Sequence, residues 1–104
     1  MVKASGFYTY APDADPEINH TLIDTGRYRL HTYMVKTQAE AISVCKELHL
    51  MEKIDSVLLC PGFTHRDCGD IFEALDGEVV VCVSRGDGPS SKITCPVLQR
   101  EFFS

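Results

Sequence analysis

The stretch DSVLLCPGFTHRDCGDIFEALDGEVVVCVS, Asp55 to Ser84, decides the fold. Val57 to Cys60 is a short continuous apolar run, which suits a strand buried on both faces rather than an edge strand. Cys68, Ile71, Phe72 and Leu75 follow at i, i+3, i+4 and i+7, the spacing of one helical face, and Gly77 stands where that helix should stop. Glu78 to Ser84 is a second buried β-rich run. Strand, helix and strand in this order form a right-handed crossover, and two strands joined that way lie parallel.

The same unit repeats upstream. Thr37 and Glu40 make the capping-box pattern, and Ala41, Val44, Leu48 and Met51 then recur three or four apart, so a first helix is expected over about Thr37 to Glu52. Before it, Tyr28 to Val35 reads as the second arm of a hairpin turning at Thr25 and Gly26. Ala4 to Tyr10, aromatic with polar alternation and stopped by Pro12, reads as a first strand. The expected architecture is one small α/β domain over residues 1–104, in β-β-β-α-β-α-β order. Its sheet is mostly parallel, with four or five strands and two main helices. Residues 1–88 form the core and residues 89–104 a C-terminal arm. In that arm Ile93, Cys95 and Val97 alternate before Phe102 and Phe103, and Pro96 argues for an edge strand or an extended segment.

Composition limits the partners. The 104 residues suffice for one hydrophobic core but not two, and 44% hydrophobic with 24% charged residues is an ordinary globular balance. Ten Lys and Arg against fifteen Asp and Glu leave a formal charge of −5 with no basic cluster, which argues against nucleic acid or an anionic membrane as a partner. No apolar run approaches the roughly 20 residues of a membrane helix, and no signal-peptide core precedes Pro12 and Asp13, so a soluble cytoplasmic protein is expected. The five cysteines are odd in number and lack a metal-ligand spacing. They are expected to be reduced and mostly structural, with no metal and no cofactor.

The segment Pro61 to Asp67 carries the main functional expectation. It follows the central strand, and in parallel α/β sheets ligands gather beyond the carboxyl ends of the strands, where helix N-termini point free amides outward. Gly62 allows close backbone approach, Phe63 offers an apolar wall, and Thr64 can cap the second helix with Asp67 at the third position. His65 and Arg66 then fall in its first turn. A histidine at that positive helix end favours the neutral, proton-exchanging form, and Arg66 can grip a carboxylate or phosphate through two hydrogen bonds. The expected site is therefore Gly62, Phe63, Thr64, His65 and Arg66 around a small anion, with His65 as the catalytic candidate. The same residues also read as a turn and a cap with two solvated side chains. His31 alternates with Arg29 and Tyr33 on one strand face, opposite Leu30, and is a further candidate for the same cleft. Asp13, Asp15 and Glu17 lack the glycine and glutamate of a calcium loop, and read as a solvated loop or a lid over the strand ends.

The order of elements resembles a family of short bacterial α/β proteins known only as a domain of unknown function. The likeness also rests on APDADPE after the first strand, LLCPGFTH before the second helix and the valine-rich last strand. It covers roughly Phe7 to Arg85, and the tail from Gly86 has no counterpart in it. The resemblance implies a small α/β fold and supplies no activity, cofactor or catalytic residue. Two functions lead, with a redox or metal protein, marked by bound metal or low-pKa thiols, in third place. One is a small-molecule-binding protein, with catalysis left open. The other is a non-catalytic homo-oligomeric module, with a dimer expected first, that uses the C-terminal arm to cover a neighbour.

Overall fold

The turn at Thr25 and Gly26 starts the sheet. Gly26 adopts φ +94°, a conformation that side chains rarely take, and its N–H donates to Asp24 Oδ1 at 2.8 Å. This closes β2 (His20–Asp24) onto β3 (Tyr28–Val35) as an antiparallel pair in which Asp24 faces Arg29, Leu22 faces His31 and His20 faces Tyr33. The computed structural model describes residues 2–84 and 91–101. On the other side of the sheet, β4 (Ser56–Leu59) and β5 (Val80–Val83) form a parallel pair. Between the two pairs lies β1 (Val2–Tyr10), parallel to both β3 and β4, giving the strand order β2-β3-β1-β4-β5. Its register slips against both neighbours in the region of Gly6. The α/β class expected from periodicity is present, but the expected mostly parallel sheet with two main helices is corrected: the sheet is mixed, because β2 returns through a tight turn as an antiparallel partner of β3, and a third helix follows β5.

Helix α1 (Gln38–Glu52) connects β3 to β4, and α2 (His65–Ala74) connects β4 to β5. Both crossovers step the same way across the sheet, so both helices lie on one face, where they touch each other. Thr37 caps α1 by accepting from Glu40 N at 3.2 Å, while Glu40 Oε1 reaches back to Lys36 N at 2.7 Å. The helix ends where Lys53 turns left-handed. Under the helices lies the core, in which Val35, Val57, Leu59 and Val79 from the sheet side meet Ala41, Cys45, Leu48, Phe63, Ile71 and Leu75.

Three expectations need correction. Of the α1 face expected to be buried, Ala41 and Leu48 reach the core, but Met51 is exposed and Cys45 takes the buried position instead. Ala41, Cys45 and Leu48 are spaced i, i+4 and i+7, a stripe that competes with the one through Val44 and Met51. Phe63 is a core residue, 3% exposed, and cannot wall an anion site, because the chain after β4 turns its ring inward under the helices. Finally, the expected C-terminal arm is helical over Ser91–Glu101 (α3). Ile93 and Val97 fit helical spacing as well as alternation, Leu98 to Glu101 are good helix formers, and Pro96 costs one backbone hydrogen bond without ending the helix. The core boundary at Gly88 and the Phe102 and Phe103 pair lie outside the described residues. Among the described residues no helix is long and apolar enough to cross a membrane.

Candidate functional site

The edge of the apolar face of α1, beside the core, borders a cleft. Val44, Leu48 and Met51 form one wall, His31 and Tyr33 on β3 with His20 on β2 form the other, and Pro16 and Glu17 of the loop after β1 close the rim. The space between them is open and measures about 960 Å³. The hairpin turn places His20: once Asp24 faces Arg29, His20 must face Tyr33, and the two rings stack at 5.2 Å with a 20° interplanar angle. Helix geometry places Glu52. A 15-residue helix rises about 1.5 Å per residue, so its last turn returns alongside the first half of the eight-residue strand β3, level with Arg29 and His31.

Glu52 is the hub of a charged chain. One carboxylate oxygen pairs with Arg29 Nη1 and the other with His31 Nε2, while Arg29 Nε donates to Asp24 Oδ2 at 2.9 Å. These contacts hold the Arg29 guanidinium above its usual range, with Asp24 the larger influence and Glu52 next. The Gly26 N–H and then Arg29 hold the Asp24 carboxyl below its usual range. His31 is buried, and a carboxylate only accepts, so Nε2 carries the proton in this pair and Nδ1 is the nitrogen left for another group. The same logic applies to His20, whose Nδ1 donates to Pro16 O at 2.8 Å. Burial raises the Tyr33 phenol, with Glu47 and then Glu52 adding to the effect.

The cleft is acidic. Glu17, Glu40, Glu47 and Glu52 all line it, and Lys and Arg are absent from its lining. Glu52 pairs with Arg29 and His31, whereas no ion pair among the described residues engages Glu17 or Glu47. Such a surface repels anions and favours cations and hydrogen-bond donors. Among the described residues no cluster of three or more His, Cys, Asp or Glu side chains is placed to hold a metal ion.

Of the expected ligand-site residues, His31 alone lines this cleft, with Glu17 of the expected loop or lid beside it; Gly62, Phe63, Thr64, His65 and Arg66 do not. Thr64 and Asp67 form a reciprocal capping box, Thr64 N donating to Asp67 Oδ2 at 2.9 Å and Asp67 N to Thr64 Oγ1 at 3.0 Å. Gly62, His65 and Arg66 are exposed. The Asp67 carboxylate thus occupies the helix terminus that an anion would approach. Sequence reasoning missed His20, Tyr33, Glu47 and Glu52 as site residues. The turn register could have placed His20 opposite Tyr33, but nothing in the sequence says which apolar stripe of α1 faces the core, and that choice opens the cleft.

The sequence model of a family of unknown function, DUF6506, matches residues 3–94. The match runs past Gly86 into α3, further than the likeness visible in the motifs. No curated protein and no solved structure matches the chain.

Proposed function

The chain belongs to the family of unknown function DUF6506, and from its own residues we propose that it binds a small cationic or hydrogen-bond-donating molecule in the cleft between α1 and the β2–β3 hairpin. The observation that carries this reading is the His31–Glu52 pair at the cleft wall. With Nε2 on Glu52, His31 keeps Nδ1 for a ligand, and a hydrogen-bond donor is the group that suits it in the neutral ring. Glu47 and Glu17 supply negative charge that no ion pair among the described residues engages, and Val44 and Met51 supply apolar contact, so a small amine with a short carbon frame is the matching class. The same pair is able to accept and return a proton.

A small anion at Gly62 to Arg66 is the rival reading, and one experiment separates the two. Thermal unfolding of wild type, Glu47→Gln, His31→Gln and His65→Ala is followed with ethanolamine, histamine and putrescine on one side and phosphate, nucleotides and small carboxylates on the other. A ligand at a hundredfold its Kd stabilises the fold by about 2.7 kcal/mol, a readily measured shift. The proposal expects amines to raise the melting temperature of wild type and His65→Ala but not of Glu47→Gln or His31→Gln. Stabilisation by anions that His65→Ala abolishes would move the site to the loop.

A further inference from the structure

With both α1 and α2 on one side of the sheet, no described element covers the other side. That face carries exposed Ile23 from β2, Tyr28 and Met34 from β3, Leu58 from β4 and Val80 from β5. Strand alternation fixes its membership on β2, β3, β4 and β5. His31 and Tyr33 line the α1 cleft, and Val57 and Leu59 enter the core, so their alternate neighbours, the strand partners Ile23 and Leu30 among them, point away from the helices. None of the outward positions on β2, β3, β4 and β5 is charged, in a chain with ten basic and fifteen acidic residues. Monomeric sheets usually keep their solvent face polar and interrupt it with charge.

We propose that a second copy of this chain packs on this face, sheet against sheet. Charge selects that occupant. A two-fold contact sets one patch against itself, so any charged residue near the axis meets its own like, and an uncharged face is the surface that self-association tolerates. A different protein is normally selected through opposite charges, and this face offers none to read. The two chains each carry −5, and this pairing brings none of the charged side chains of β2, β3, β4 and β5 into the contact. Size agrees. Five strands about 4.8 Å apart span about 24 Å, and strands of four to nine residues run roughly 13–30 Å. Each copy then contributes a patch of several hundred Å², near the roughly 800 Å² per partner of a standard interface once side-chain relief and the rim are included. Helix α3 makes no extensive contact with any described strand, and its Ile93 is 73% exposed.

The test is the mass in solution by sedimentation equilibrium, over a concentration series, of the full chain and of Leu58→Glu, Val80→Glu and Ile93→Lys. Wild type is expected near twice 11.6 kDa. Leu58→Glu brings like charges together across the two-fold and should weaken the dimer by about 100-fold or more while leaving the circular dichroism of the fold intact. If Leu58→Glu fails to fold, Val80→Glu, 59% exposed on the last strand, gives the same reading. Ile93→Lys should leave the dimer unchanged. A wild-type chain that stays at 11.6 kDa throughout, a dimer that survives both glutamate substitutions, or a dimer lost in Ile93→Lys would each overturn the proposal.

Discussion

Leu48→Ala and Met51→Ala together test whether α1 is rotated as described. Both residues lie in the last turns of α1 and both line the cleft, but Leu48 is 7% exposed and Met51 73%. Truncating Leu48 removes three buried carbons at about 0.8 kcal/mol each and leaves a partly collapsed cavity, for a total of about 3 kcal/mol. Met51 has roughly a quarter of its surface covered, so its truncation forfeits about 0.5 kcal/mol of a full burial value near 2. Helix propensity favours alanine slightly at both positions and does not change the order. For a domain of this size the melting temperature should fall roughly 15 °C in the first variant and roughly 3 °C in the second. Urea and thermal unfolding followed by far-ultraviolet circular dichroism read both directly. Equal losses would mean that Met51 is covered, the helix is turned the other way and the cleft is filled.

Other predictions follow from the same contacts. Thr64→Ala removes the acceptor for Asp67 N and should cost about 1 kcal/mol in a urea melt without altering amine binding, since Thr64 lies outside the cleft. Asp24 has a folded pKa below its ordinary 3.8, so its ion pair contributes stability above that value and loses it as pH falls through the lower folded value. Asp24→Asn should therefore flatten that part of the acid stability profile. The Tyr33 phenol is raised above 10.0, so its contribution is complete below pH 10 and is lost as pH rises through the folded pKa. Absorbance titration at 295 nm should show one late tyrosine that is missing from Tyr33→Phe.

Much of the fold was legible because it rests on local signals. The hairpin arm Tyr28–Val35, the Thr37 cap of α1 and the Thr64–Asp67 capping box of α2 each follow from a few adjacent residues. What local pattern leaves open is tertiary choice. Ala41, Cys45 and Leu48 compete with the stripe through Val44 and Met51, and only the angle at which α1 meets the sheet selects the buried one. Pro96 misled for a related reason: in an eleven-residue helix the loss of one hydrogen bond is outweighed, whereas in a strand it decides. The loop at Gly62 to Arg66 attracted attention as a strand-end segment opening a helix. The capping box explains Thr64 and Asp67, and the core explains Phe63. His31 and Tyr33 were visible as one face of β3, but Glu52 enters the same site from a helix end across the chain, a neighbour that sequence spacing does not reveal.

The measurement that tests the central claim most directly is an amide chemical-shift map of the isotope-labelled chain titrated with ethanolamine, histamine and putrescine. Binding in the cleft predicts shifts clustered at His20, Tyr33, Ser43, Val44, Glu47 and Met51, with Gly62 to Arg66 unmoved. Shifts confined to Gly62 to Arg66, or no shifts with amines but clear ones with phosphate, would contradict the account.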